Sequence, residues 1–368
     1  MRILFTGGGT GGHIFPIIAI KEAFTMPESF YYLGPDSFAK ENLSGIKAKF
    51  IIAGKIHRYF SLALPIEIIK TIIGIIQSLW QLFFWMPDVI FSKGGYGSFP
   101  VVLTGWIYRI PIILHDSDSV PGLANKITAR FAKKIILSFP NSAQYFKKKY
   151  QSASGGKIIV IGNPIRKELL QGDKEQGRGL FKIQTNKPVI LIIGGSQGAQ
   201  KINENVVNCL PRLLEIAEII HICGEKNFKN VEADTRGSIR GLNAESYHLY
   251  PFLKAEDLKH AYALADLIIN RAGAGSIFEI AALGKPSILI PITNSAQDHQ
   301  RKNAYEFKGG DEKCVIIEQE NLTPNMFLET IDNLLKNPQK LQEMGVKAKS
   351  FYNLSTAELI RDEILKLI

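Results

Sequence analysis

A chain of 368 residues, 46% hydrophobic and 21% charged, has the composition of an ordinary globular protein and length enough for two or three domains with ample core. Its three cysteines, Cys209, Cys223 and Cys314, are scattered without CxxC spacing, which argues against a zinc site or a disulfide framework and leaves them as small buried hydrophobes. The formal net charge of +10 and a pI near 9.3 favour anionic partners, whether nucleotide, phospholipid headgroup or nucleic acid, without choosing among them. The first residues run straight into a strand with no charged-then-apolar leader, as expected of a cytoplasmic protein.

In chain order, Arg2-Ile3-Leu4-Phe5 reads as a buried strand and Ile14-Phe15-Pro16-Ile17-Ile18-Ala19-Ile20 as the opening of an apolar helix. Between them lies Thr6-Gly7-Gly8-Gly9-Thr10-Gly11-Gly12-His13. Glycines at such a turn expose backbone N–H groups at the positive end of the helix dipole and let an anion approach closely. His13 is the titratable side chain at its lip. Gly7-x-Gly9-x-x-Gly12 fits the dinucleotide fingerprint formally, but that fingerprint also asks for an acid closing the second strand. Here Phe30-Tyr31-Tyr32-Leu33 ends in Gly34-Pro35, with Asp36 slightly beyond, so the nicotinamide fingerprint is poorly met and no cofactor is expected.

Strands are expected at residues 3–5, 31–33, 49–52, 89–92, 112–115, 134–138 and 158–161. Gly162-Asn163-Pro164 then breaks the pattern, a polar stretch covers 167–187, and at Pro188-Val189-Ile190-Leu191-Ile192-Ile193-Gly194 a strand again runs into a glycine turn. Later strands are expected at 219–223, 246–249, 267–270, 287–291 and 314–317. Alternating strands and helices predict parallel sheets covered on both faces. The chain therefore reads as two doubly wound α/β domains with a hinge near Asn163-Pro164. Ligands of such folds bind beyond the carboxyl ends of the strands, so facing domains would share a cleft.

Residues 71–86 depart from this rhythm, being apolar around most of a helix, with Lys55, His57, Arg58 and Lys70 upstream. Sixteen residues fall short of the ~20 that cross a bilayer. The segment is either a buried helix or one whose Leu79, Trp80, Phe83, Phe84 and Trp85 face lipid, with basic residues meeting anionic headgroups.

Several clusters carry possible chemistry. Gly194-Gly195-Ser196-Gln197-Gly198 matches the G-x-S-x-G nucleophile elbow, which makes a serine hydrolase a rival reading. Asp298-His299 supplies an acid and a histidine, but as sequence neighbours they form no obvious relay, and the first glycine turn is left without a task. The other reading has Ser196 and a helix N-terminus gripping a phosphate. Ser92-Lys93-Gly94-Gly95-Tyr96-Gly97-Ser98 reads at its plainest as a tight strand-to-helix connection. In Asn270-Arg271-Ala272-Gly273-Ala274-Gly275-Ser276-Ile277-Phe278-Glu279 the small residues permit close backbone contact with a ligand. Glu279 there is either a solvated helix charge or an acceptor for both hydroxyls of a ribose. Asp298-His299-Gln300 with Asn303 suits sugar hydroxyls, and no spacing suggests a metal triad.

Six of these stretches, Gly9-Thr10-Gly11-Gly12-His13-x-x-Pro16, Gly94-Gly95-Tyr96, Gly162-Asn163-Pro164-x-Arg166, Gly194-Gly195-Ser196-Gln197-Gly198-Ala199, Arg271-Ala272-Gly273-Ala274 and Asp298-His299-Gln300-x-x-Asn303-Ala304, resemble the MurG family in order and across nearly the whole chain. These are bacterial transferases that add N-acetylglucosamine to undecaprenyl-pyrophosphoryl-N-acetylmuramoyl-pentapeptide. The resemblance implies a GT-B fold of two Rossmann-like domains. Residues 1–164, joined by a C-terminal helix at 346–368, would face acceptor and membrane, and residues 165–345 would bind UDP-N-acetylglucosamine. It further implies that Leu253 meets uracil through its backbone, Glu279 holds the ribose, and Ser196 with Arg166 serves the diphosphate. Ala274, Gly275, Ser276, Ile277 and Phe278 would line the donor, and Gln300 would reach the sugar. Thr10, Gly11 and Gly12 would close from the first domain.

One stretch departs from the family pattern. Where the family usually has Glu-Gln-Asn, this chain has Asp116-Ser117-Asp118 after His115, so an amide near a diphosphate becomes the Asp118 carboxyl. The reaction implied is a single inverting displacement without a divalent metal, with His13 as the base of near-neutral pKa and Asp118 in reserve. The implied partners are the donor, the lipid-linked acceptor and an anionic membrane surface on the cytoplasmic side, and no nucleic acid. A diacylglycerol glycosyltransferase and a UDP-N-acetylglucosamine epimerase share the fold and stand as alternatives.

Overall fold

The computed structural model describes residues 1–25, 29–35, 39–55, 64–151, 156–194, 199–238, 244–293 and 295–368. They form two compact units, residues 1–165 with 354–368 and residues 166–353. Ser196 and its loop neighbours Gly195, Gln197 and Gly198, together with Asp36, His57 and Arg58, lie outside the described residues.

The first unit is built on β1 (Arg2–Thr6), β2 (Ser29–Gly34), β3 (Lys47–Phe50), β4 (Val89–Ser92), β5 (Ile112–Asp116), β6 (Lys134–Leu137) and β7 (Ile158–Val160). They form one parallel sheet in the order β3-β2-β1-β4-β5-β6-β7. Strand β1 shows why an unbroken apolar run was to be expected. Ile3 and Phe5 enter one cluster with Ile14, Ile17 and Ile20, while Leu4 enters another with Ile90, Val101 and Val102. Alternate side chains point to opposite faces, and both faces are covered. Strand β3 starts and ends two residues before its expected place at 49–52, because its pairing stops at Phe50, opposite Gly34, the last residue of β2.

The chain's last helix, Thr356–Leu365, belongs to this first unit, where Ile360 and Ile364 join the cluster around Ile3 and Phe5. Arg361 donates to the Ala23 carbonyl at 2.9 Å and Glu363 pairs with Lys134. Residues 346–349 end the preceding helix, Pro338–Lys349, which is part of the second unit.

That second unit repeats the plan. Strands β8 (Val189–Ile193), β9 (Glu218–Ile222), β10 (Tyr247–Tyr250), β11 (Leu267–Asn270), β12 (Ser287–Leu289) and β13 (Val315–Ile316) form a parallel sheet in the order β10-β9-β8-β11-β12-β13. In each unit the strand order reverses beside the first strand, between β1 and β4 and between β8 and β11. Ligand crevices of this architecture open at that point.

The apolar segment forms a helix, Leu64–Trp85, longer than the sixteen residues expected. Its buried stripe is Thr71, Gly74, Ser78 and Leu82, one residue per turn. Small residues in the stripe let the helix lie against backbone. Ser78 donates to the Gly74 carbonyl at 2.7 Å, and Gln77 Oε1 accepts the Ile52 N–H at 2.8 Å. A Cβ at Gly74 would strike the Ile52 carbonyl oxygen. Gly74→Val is therefore expected to cost about 1–3 kcal/mol by overpacking, read as a lower urea midpoint. An unmoved midpoint would show that this helix does not press on the Ile52 segment.

Candidate active site

In the first unit, β1 and β4 lie side by side with Thr6 opposite Ser92, and both lead into glycine turns. His13 stands in the first turn of the helix Gly11–Glu22. Its ring rests on bare backbone. A Cβ at Gly8 would sit 3.0 Å from Cε1, and one at Gly95 would sit 3.2 Å from Nε2. Gly94 and Gly95 both have φ of 81°, a conformation that favours glycine. Thr10 Oγ1 lies 3.0 Å from Nδ1 and holds the ring by a hydrogen bond. Thr10 and Gly12 are exposed and Gly11 is buried, so the lip of the turn meets solvent.

Behind His13 lies a polar network. Asn125 accepts the Gly95 N–H at 3.0 Å and donates to Asp116 Oδ2 at 2.8 Å, and Asp116 Oδ1 accepts the Asp118 N–H at 3.2 Å. Lys93, buried just past β4, donates to Asn163 Oδ1 at 2.9 Å and to Ser117 Oγ. His115 Nε2 lies 3.1 Å from Ser138 Oγ and 3.1 Å from the Gly162 carbonyl. The turn, the end of β4, the end of β5 and the Gly162-Asn163 segment thus converge.

Low solvation sets the protonation states here. Burial, and then the charge of Lys93, push His13 down to about 4 against the opposing pull of Asp118. The expectation of a near-neutral base is corrected accordingly. In the ligand-free chain His13 is a neutral imidazole that accepts a proton weakly until negative charge arrives beside it. Burial pushes Lys93 down to about 7, while Asp116 and Asp118 hold it up. Burial lifts Asp116 to about 6, against the hydrogen bond from Asn125.

In the second unit the helix Ala274–Leu283 begins directly past β11. A Cβ at Gly273 or Gly275 would meet no neighbour, so the space before its first turn is open. Glu279 Oε1 lies 3.6 Å from Arg166 Nη2, and Glu279 Oε2 accepts the Tyr262 hydroxyl at 2.9 Å. Burial and the Glu279 charge raise Tyr262 well above its ordinary range, so its hydroxyl keeps the proton it donates. Leu253 is buried just past β10. The side chains of Ile277 and Phe278 are in the core, Phe278 against Phe351 at 5.4 Å, which leaves only their backbone for a ligand. Gln300 Oε1 accepts the Ile292 N–H at 3.1 Å, beside a cavity of about 450 Å³ lined by Pro291, Thr293, Asp298 and Arg301 among others.

The helix Leu64–Trp85 turns a second face outward. Trp80, Phe83 and Phe84 are 69%, 61% and 59% exposed, and Ile66, Ile69, Ile72 and Ile76 continue the apolar surface along the helix. Leu79 is half-buried, and Trp85 turns inward to pack on Tyr31 at 4.7 Å, so it is not part of the most exposed group.

Residues 3–137 match the glycosyltransferase family 28 N-terminal domain and residues 189–360 its C-terminal domain. The chain is 38% identical to the UDP-N-acetylglucosamine--N-acetylmuramyl-(pentapeptide) pyrophosphoryl-undecaprenol N-acetylglucosamine transferase of Legionella pneumophila strain Paris, covering 100% of this chain and 96% of that one. It is 35% identical to the Clostridium kluyveri transferase of the same name, covering 100% and 98%. The crystal structure of Acinetobacter baumannii MurG superposes with a TM-score of 0.74 at 27% identity, over 99% of each chain. The chain belongs to glycosyltransferase family 28, with the MurG enzymes. Its fold is GT-B, as the sequence led one to expect. A UDP-GlcNAc 2-epimerase from Neisseria meningitidis, solved with UDP-GlcNAc, shares that fold with a TM-score of 0.71 at 16% identity over 100% of both chains.

Against this MurG background, sequence reading passed over Lys93, Asn125 and Tyr262. For Lys93 there was a signal, a lysine set directly after a wholly apolar strand and before two glycines. Tyr262 offered none, because its partner Glu279 is seventeen residues away and meets it only through the fold.

Burial also sets how stability varies with pH. His13 falls to about 4, His221 to about 3 and His115 well below its usual value, so below about pH 6.5 the unfolded chain binds more protons at all three. Asp116, lifted to about 6, acts in the opposite sense, but as one group against three. Stability should fall as pH drops from 6.5 towards 4, by up to about 1.4 kcal/mol per pH unit for each imidazole. Thermal unfolding at pH 7 and pH 5 checks this, and equal midpoints would contradict it.

Proposed function

We propose that the chain transfers N-acetylglucosamine from UDP-N-acetylglucosamine to the 4-hydroxyl of undecaprenyl-pyrophosphoryl-N-acetylmuramoyl-pentapeptide, converting lipid I to lipid II in peptidoglycan synthesis. The observation that carries this reading is 38% identity, end to end, with the Legionella enzyme whose name states that reaction. In this reading the first unit takes the acceptor and the second the donor. The open first turn of Ala274–Leu283 offers Ala274, Gly275 and Ser276 N–H groups to the diphosphate, with Arg166 as its guanidinium; Ser196 has that role on the family resemblance alone. Glu279, steadied by Tyr262, takes the ribose, Leu253 the uracil and Gln300 the sugar.

The chemistry is one displacement. The acceptor oxygen bonds to the anomeric carbon, the bond from that carbon to UDP breaks, and an α-linked donor gives a β-linked product. Negative charge developing on UDP is met by a helix N-terminus and a guanidinium. The acceptor's proton passes to His13 Nε2, which is free to receive it when Nδ1–H donates to Thr10. A pyrophosphate held at the Gly7–Gly12 turn strengthens this base by the same Coulomb logic through which Lys93 weakens it. Asp118 stands close enough in charge to shape that balance, and Thr10, Gly11 and Gly12 form the rim.

The polyprenyl tail of the acceptor brings the enzyme to a membrane. The exposed face of Leu64–Trp85 suits lipid contact, and the net charge of +10 suits anionic headgroups at the cytoplasmic side. The buried stripe on the same helix ties it to the first unit, so it lies on a bilayer rather than across one.

Radiolabelled UDP-N-acetylglucosamine offered to membranes containing lipid I should yield labelled lipid II, and no labelled lipid would end the proposal. In that assay His13→Ala should lower kcat by about 10²–10⁴, with UDP affinity little changed. Unchanged turnover in a folded variant removes His13 from the base role. Trp80→Glu with Phe83→Glu and Phe84→Glu should reduce sedimentation with anionic vesicles while the fold survives, since all three side chains are exposed. Sedimentation equal to the parent's would assign that face another purpose.

A further inference from the structure

The polar cluster behind His13 contains a feature that the transfer reaction alone does not require. Lys93 is 1% exposed, yet the hydrogen bonds of its ammonium go to neutral oxygens, Asn163 Oδ1 and Ser117 Oγ. Burying an ammonium is costly, and a methionine of similar length would fill the same space without that cost. What a lysine adds there over methionine is a positive charge, which Asp116 and Asp118 hold on it against burial. The charged and titratable groups around it are His13 on the helix Gly11–Glu22, His115 and Asp116 on β5, and Asp118 just past β5.

Asp118, half-buried just past β5, gives its N–H to Asp116 Oδ1 at 3.2 Å and so is part of the same network. Its carboxyl brings negative charge that acts on both His13 and Lys93. Lys93 adds positive charge to the same pocket, and the two act on His13 in opposite directions. We propose that Lys93 is a positioning residue whose buried ammonium offsets Asp118, so that the His13 turn accepts a pyrophosphate despite that carboxyl. The inference rests on the transfer reaction proposed above. It goes further by making residues 93 and 118 one unit, in which neither side chain can be neutralised alone without disturbing the turn.

The test is a double-mutant cycle on the full chain, comparing the parent, Lys93→Met, Asp118→Asn and the double variant. Lys93→Met should lower kcat/KM for the lipid acceptor by roughly tenfold or more, the scale of coupling between charges that share one buried network. The double variant should regain most of that loss. A double variant as poor as Lys93→Met, or poorer, overturns the pairing.

A second readout does not depend on turnover. In the ring NMR signals of His13, Lys93→Met should raise the titration midpoint and Asp118→Asn should lower it, whereas a purely structural lysine would move neither. A midpoint unmoved in Lys93→Met overturns the inference. If the parent transfers no sugar, the functional reading fails, and the His13 titration still decides the pairing. If Lys93→Met does not fold, a double variant that does fold supports the pairing, and one that also fails to fold overturns it.

Discussion

The contact on which the first unit's site depends is that between the His13 ring and the bare backbone of Gly8 and Gly95. With a side chain at either glycine the imidazole would have to move, and with it both ring nitrogens. Neither glycine is held by local preference alone. Gly95 is pinned through Asn125 to Asp116 at the end of β5, and Gly8 belongs to the turn that β1 delivers. A parallel sheet brings these ends together because every strand finishes on the same edge. The strand order then opens the sheet between two of them.

Desolvation governs what those groups can do. The same poor access to water lowers His13, lowers Lys93 and raises Asp116, in each case favouring the uncharged form. The pocket is therefore poised close to neutrality and is responsive to charge. An anion arriving there meets groups whose protonation it can alter.

The helix Leu64–Trp85 shows how one apolar sequence can serve two surroundings. Its buried stripe is made of small residues that approach backbone, and its large residues are mostly on the other side. In a core helix of a soluble domain the large residues would be expected inside. The reversal leaves Trp80, Phe83 and Phe84 facing outward, and exposed isoleucines continue the apolar surface along the helix.

The amino-acid sequence already points to two parallel sheets, because runs such as Ile3-Leu4-Phe5 and Ile190-Leu191-Ile192 suit strands covered on both faces. It also marked the glycine turns, since strand-to-helix junctions that meet anions need residues without a Cβ. The tertiary structure decided the rest. It paired Arg166 with Glu279 and Tyr262 with Glu279, withdrew Ile277 and Phe278 into the core, turned Trp85 inward, and placed Lys93 among two carboxyls and two imidazoles. These are contacts between residues far apart in the chain. Periodicity and motif report what a segment is suited to, whereas a pKa or a hydrogen-bond partner depends on which distant atoms share its space and on how much water they exclude.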